Sequence, residues 1–251
     1  MTRTAIILTG ASRGLGAALA RTLAAPGTRL VTVARRPDPA LAAAVAERGG
    51  ALDQIAADLS DPVQAGRAAQ QAAAALPAGA ERYRLINNAG TLQPLARAED
   101  LADAGAVAAA LNLNVGAAIV MTAAFLRATP SAGADRRVLN ISSGAGRTPY
   151  AGWHVYCATK AALDMATRTL ALEHGAAGLR AVSIAPGVID TDMQASIRCA
   201  DPAAMPMRAR FVDLYAQGAL PSAEQVAARL AAYLEHADFG AREIDDLRQA
   251  R

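Results

Sequence analysis

Six short runs of aliphatic and β-branched residues punctuate the chain: Thr4 to Thr9, Arg29 to Ala34, Leu52 to Ala57, Tyr83 to Asn87, Arg137 to Ile141 and Leu179 to Ala185. None alternates strictly between apolar and polar positions, which is the signature of strands buried on both faces of a parallel sheet. Between them lie alanine-rich stretches with helical spacing: Leu15 to Ala25, Ala40 to Arg48, Pro62 to Leu76, Ala104 to Ala128, Val155 to Glu173 and Ala223 to His236. Strands alternating with helices predict an α/β fold, a doubly wound Rossmann-type parallel sheet flanked by helices. Asp61 before Pro62, and Ser222 before Ala223, supply helix caps. From Gly187 to Leu220 the pattern loses its period among Pro202 and Pro206, so this stretch is expected to form a lid-like insertion after the sixth strand.

The 251 residues, 53% of them hydrophobic, suit one domain over 1–251, with a cofactor-binding half over about 1–140 and a catalytic, substrate-binding half over about 141–251. A formal charge of +3 is spread over scattered arginines. That argues against a nucleic-acid surface and favours a small anionic ligand. Cys157 and Cys199 form neither a disulfide framework nor a metal motif, and His154, His174 and His236 stand apart, so no metal site is expected. The apolar run Ala5 to Leu8 is too short for a signal sequence or a membrane span, which points to a cytoplasmic protein with no membrane partner.

The first strand ends in Thr9-Gly10-Ala11-Ser12-Arg13-Gly14-Leu15-Gly16 before a helix. Glycines there let backbone amides approach a pyrophosphate at the positive helix N-terminus, so Gly10, Ser12, Arg13, Gly14, Leu15 and Gly16 are candidate dinucleotide contacts. Lys160 is the chain's single lysine and lies four residues after Tyr156, one helical turn on. An ammonium about 4 Å from a phenol is worth roughly 4 kcal/mol at an effective dielectric near 20, enough to draw the phenol from near 10 towards neutrality. A phenol so tuned can exchange a proton at physiological pH.

The glycine spacing G-x3-G-x-G, with Asn87-Asn88-Ala89-Gly90 after the fourth strand, Asn140-Ile141-Ser142-Ser143 closing the fifth, Tyr156 and Lys160, and Pro186-Gly187 after the sixth, resembles the short-chain dehydrogenase/reductase family from end to end. The segments Gly152 to Met165 and Ala185 to Met193 are similar to its sepiapterin reductase subgroup, whose bacterial relatives include diketone reductases. The resemblance implies an oxidoreductase acting on CH–OH/C=O groups. Ser143, thirteen residues before Tyr156, would be the catalytic serine, Tyr156 the proton donor, and Lys160 the residue that holds the ribose hydroxyls and keeps the phenol acidic. Ser142 should face the other side of its strand. An asparagine completes the family's proton relay; Asn112 and Asn114 compete for the role, and Asn114 is preferred. Asn88, Ala89 and Gly90 would border the adenosine, Pro186, Gly187 and Val188 would be further cofactor contacts, and Thr191 would meet the nicotinamide carboxamide. A homodimer or homotetramer built on the helices Ala104 to Ala128 and Val155 to Glu173 is also implied.

Ala34-Arg35-Arg36 ends the second strand, where an NAD enzyme places an acid against the ribose 2′-hydroxyl. Arg35 and Arg36, helped by Arg13, could grip a 2′-phosphate, so NADPH is the expected cofactor; two solvated arginines would read the same way. Asp58 resembles the family's adenine-contacting aspartate, with helix capping as its alternative. Trp153 and Met193 are candidate substrate contacts beside Ser143 and Tyr156, in an apolar pocket that Tyr150, Met205, Met207, Phe211, Leu214 and Tyr215 could complete. The C-terminal aspartate that anchors pterins in the subgroup has no clean counterpart: Ile244 falls near its place, with Glu243, Asp245 or Asp246 in reach of a shift. That favours a broader ketone or diketone class over a pterin. A nucleotide-binding regulatory protein that has lost turnover is the rival, and the intact Ser143, Tyr156 and Lys160 set argues against it.

Overall fold

The architecture follows from apolar runs that bury both their faces. In a computed structural model, which describes residues 2–249, β1 (Thr4–Thr9) sends Ile6 and Leu8 to one side of the sheet and Ala5 and Ile7 to the other. The side chains alternate because strand periodicity is two. The remaining strands are β2 (Thr28–Ala34), β3 (Ala51–Ala56), β4 (Arg82–Asn87), β5 (Asp135–Ile141), β6 (Leu179–Ala185) and a short β7 (Ile244–Asp246). They form one parallel sheet in the order β3-β2-β1-β4-β5-β6-β7. The order reverses between β1 and β4, and such a switch opens a crevice at the strands' C-terminal ends.

On one face, α1 (Gly14–Leu23) and α9 (Ala223–Glu235) pack Leu19, Val226 and Leu230 against Ile6, Leu30 and Val182. On the other, α3 (Pro62–Ala74) and α5 (Ala117–Ala128) pack Ala69, Met121 and Phe125 against Ile7, Val31 and Leu85. α2 (Pro39–Glu47), α4 (Ala104–Leu111) and α6 (His154–His174) complete the layers. Asp61 caps α3 as expected, and Ser222 forms a reciprocal capping box with Gln225 at α9.

Three features depart from the sequence reading. The helix expected over Ala104 to Ala128 is interrupted by a π turn, Asn112–Gly116, where asparagines and a glycine of weak helix propensity meet. The stretch 187–220 is less irregular than expected, since it contains two short helices, α7 (Asp192–Arg198) and α8 (Arg208–Ala216). β7 went unforeseen because three residues, two of them acidic, carry no strand pattern of their own. Its hydrogen bonds to β6 define it.

Candidate active site

The glycine loop is shaped by clearance. Gly10 has φ +73°, and a Cβ on Gly16 would lie 2.0 Å from Gly10 O, so no side chain fits between the loop and its helix. Asn88 braces the loop, its Nδ2 donating to Thr9 O at 3.0 Å and Gly10 O at 3.2 Å, while the amides of Asn88 and Ala89 both donate to Thr9 Oγ1. Asn87 ties the sheet together by donating to Asn140 Oδ1 at 2.8 Å. At the start of α1, Arg13 provides no side-chain cap. The first-turn amides of a helix without such a cap form a ready anion site. This bare cradle, with no acid in the first turn, fits a dinucleotide pyrophosphate.

A cleft of about 610 Å³ runs from that loop across the sheet's C-terminal edge. Gly10, Ser12, Arg13, Gly14, Leu15 and Gly16 line one end, with Arg35 and Asp58 beside them. Asn88, Ala89 and Gly90 form its floor. Ser143, Tyr156, Lys160, Pro186, Gly187, Val188 and Thr191 line its middle, and Trp153 and Met193 the far end. Arg36 does not reach the cleft and faces a separate shallow depression with Pro37 and Asp38. Asp58 caps no helix; its carboxylate accepts from Ser60 N and Oγ, which with the nearby Arg35 hold its pKa below the usual value. The first acid after β2, Asp38, is engaged in capping α2 and in an ion pair with Arg21, so no free carboxylate stands beside Arg35 at the end of that strand.

Tyr156 projects from the first turn of α6, and Lys160 follows one turn later; both are buried. Lys160 Nζ donates to Ile141 O at 2.7 Å and sits 5.6 Å from the centre of the Tyr156 ring. Contrary to expectation, the phenol is raised rather than lowered. Burial pushes Tyr156 up to about 12, with the Ser143 hydrogen bond pulling partly the other way. Burial also brings Lys160 down to about 8, against the opposing pull of the Asp164 carboxylate. Ser143 begins a short turn over Gly144–Gly146, its Oγ accepting from Ala145 N at 3.1 Å.

Of the two asparagines, Asn114 is the buried one, turned inward by the π turn. Its Oδ1 accepts from Thr91 N at 2.8 Å and its Nδ2 donates to Thr159 Oγ1 at 3.0 Å; Thr159 in turn donates to Tyr156 O. Asn114 Oδ1 and Lys160 Nζ lie 3.2 and 3.7 Å from the point where Gly90 would carry a Cβ, so both converge beside that glycine.

Trp153 anchors the far end, with ring centres 5.1 Å from Tyr150, 5.5 Å from Tyr156 and 5.6 Å from Phe211. Tyr150 and Phe211 line the cleft, but Met205, Met207, Leu214 and Tyr215 do not; Met205 is core, and Tyr215 stacks on Arg198. None of Glu243, Asp245 and Asp246 lines it either: Asp245 accepts from the Tyr233 hydroxyl at 2.9 Å, and Asp246 pairs with Arg248.

The sequence reading missed two groups. Ser142 faces away from Ser143, as expected, but its partner is Asp164, which accepts from Ser142 Oγ and Ser183 Oγ at 2.6 Å each and from Arg147 Nε at 3.1 Å. A carboxylate at i+4 from Lys160, on the inward stripe of α6, was the available signal. Arg248 lines the cleft from the far C-terminal segment, and only its i, i+2 spacing from Asp246 hinted at order there.

A model of the short chain dehydrogenase family matches residues 4–201. The chain is 33% identical over 242 residues to a benzil reductase ((S)-benzoin forming) of Bacillus cereus, covering 95% of this chain and 97% of that one. It is 37% identical over 254 residues to the sepiapterin reductase of Bos taurus, covering 94% and 91%. A short chain dehydrogenase from Burkholderia cenocepacia, solved in complex with NADP, superposes with a TM-score of 0.76 at 30% identity, covering 97% of this chain and 95% of that one.

Proposed function

The chain belongs to the short-chain dehydrogenase family and is an oxidoreductase, and from that footing we propose that it reduces a small ketone or diketone to an alcohol with NADPH. The observation that carries this reading is the meeting of Ser143, Tyr156 and Lys160 in one cleft with the uncapped start of α1. A bound nicotinamide cofactor supplies hydride to the carbonyl carbon, so negative charge gathers on the carbonyl oxygen. Ser143 donates a hydrogen bond to that oxygen, and Tyr156 gives it a proton. A phenol held near 12 keeps its proton throughout the neutral range, as a donor must, and an alkoxide is basic enough to take it. Lys160, still largely protonated at neutral pH, orients the ribose and restores the phenol's proton; Asn114 fixes the turn that carries Tyr156 through Thr159.

Preference for NADPH is supported by Arg35, exposed on the cleft with no free carboxylate at the end of its strand to repel a 2′-phosphate. A diketone is favoured over a pterin because the C-terminal acids point elsewhere, in keeping with the benzil reductase relative. The exposed Leu111, Ile119, Val120, Met165 and Leu172 on α4, α5 and α6 support self-association through that face, in a homodimer or homotetramer.

Consumption of NADPH with benzil, 1-phenyl-1,2-propanedione and sepiapterin tests the reading. Turnover of a diketone is expected, reduced at least ~100-fold in Tyr156→Phe. Equal rates in that variant would remove Tyr156 as the proton donor, and no turnover of any carbonyl would leave the non-catalytic nucleotide-binding protein as the better account. In the same assay Arg35→Asp should weaken NADPH about 10- to 100-fold while sparing NADH. Unchanged affinity for both removes the 2′-phosphate assignment.

A further inference from the structure

Arg248 is placed at the cleft by the strand that precedes it. Leu247 N donates to Ala185 O at 2.9 Å, which pins the C-terminal segment to the end of β6. The stem of Arg248 then lies 3.6 Å from the point where Gly187 would carry a Cβ, over the turn that closes β6. Arg248 and Tyr150 line the same cleft, and Tyr150 leads directly to Trp153 and Tyr156.

Asp246 grips this guanidinium from behind, with Nε–Oδ1 at 2.9 Å and Nη2–Oδ2 at 2.5 Å, and also accepts from Arg248 N at 3.0 Å. Nη1 makes no hydrogen bond among the described residues. Two consequences follow from a planar fork held on one edge. The plane is fixed before any ligand arrives, so little ordering remains to be done on binding. The bidentate carboxylate also cancels most of the net charge, so what is offered forward is a directed N–H rather than an attraction for anions. Asp192, the acid on this side of the cleft, is paired with Arg13 at 3.3 Å.

Resting on the carbonyl reductase reading, we propose that Arg248 is a specificity residue: Nη1 donates to a second carbonyl oxygen on the carbon next to the one reduced, so the preferred substrates are uncharged vicinal diketones. The fixed fork recognises the second oxygen, while Tyr150 and Trp153 flank the apolar remainder. A ketone lacking that oxygen leaves the donor unpaired and gains nothing from it.

The experiment compares kcat/KM with NADPH for 1-phenyl-1,2-propanedione, its monoketone counterpart propiophenone, and the keto acid phenylglyoxylate, in the wild type, Arg248→Met and Asp246→Asn. Arg248→Met should lower the diketone value about 10- to 100-fold and leave propiophenone within about twofold. Asp246→Asn, which restores the net positive charge, should shift preference towards phenylglyoxylate. Equal losses on diketone and monoketone, no loss on the diketone, or a wild type that already prefers phenylglyoxylate would each overturn the assignment while leaving carbonyl reduction intact. A wild type that reduces none of the three overturns both.

Discussion

Strand β5 has a carboxylate cluster at each end, and the two are built differently. At its start Asp135 receives three arginines, from Arg84 at 2.8 Å, Arg137 at 3.1 Å and Arg180 at 2.7 Å. Arg84, fully buried, spends all five of its N–H groups on Asp135, Glu235 and the carbonyls of Tyr83 and Asp135. Past its other end Asp164 receives two hydroxyls and a single arginine. In the first cluster three arginines face the two carboxylates Asp135 and Glu235, and no lysine, histidine or cleft residue joins them, so its effect is local: it ties the start of β5 to its neighbours. In the second, Asp164 lies one turn from Lys160, and its charge opposes the burial that would otherwise discharge the lysine further. Which groups stand beside an ion-paired carboxylate therefore decides whether it acts on packing or on a neighbour's proton.

The largest effect should come from Asp135→Asn, which strands arginines out of water. Stability should fall by roughly 3 kcal/mol, read from the urea midpoint, while turnover per folded molecule stays within about twofold. The arginines hold the Asp135 carboxyl well below its ordinary 3.8. Its contribution is therefore complete above about pH 4 in the wild type and is lost as the pH falls through that range, so the variant should show a flatter decline in stability there. A matching loss of turnover at full folding would break the contrast. Next, Asp164→Asn should lower kcat about tenfold and move the alkaline limb of the kcat profile, set by Lys160 near 8, to lower pH. A purely structural Asp164 would lower the urea midpoint and leave that limb in place. The smallest change belongs to Ser183→Ala, which removes one hydroxyl from Asp164 and leaves its charge. A loss of about 1 kcal/mol with an unmoved pH profile is expected.

The strand runs, the glycine loop and the spacing of Tyr156 and Lys160 were legible because each is local: an apolar run, a glycine-rich turn between strand and helix, a helical interval; Ser143 was named through the family resemblance alone. What was not legible depends on partners distant in sequence. Ile244–Asp246 becomes a strand only beside β6, and Arg248 reaches the cleft only because of that pairing. α8 is hidden by its arginines and the prolines before it, and it is recovered through Phe211 packing on Trp153. The direction of the Tyr156 shift was misjudged because spacing alone sets neither depth of burial nor the 5.6 Å between ammonium and ring. Arg36 follows Arg35 in sequence, yet successive residues at a strand end point to opposite sides, and only one of them meets the cleft.

The π turn at Asn112–Gly116 holds one residue more than an α-helical turn of the same helix would. Each residue added to or removed from an α-helix turns everything beyond it by about 100°. Loss of one residue from this turn would restore an unbroken helix from Ala104 to Ala128 and swing Asn114 off Thr91 and Thr159, although every other codon stayed the same. A one-residue deletion in this segment is therefore expected to cost more turnover than a substitution on its exposed side, because it re-aims Asn114 while a substitution leaves the turn in place.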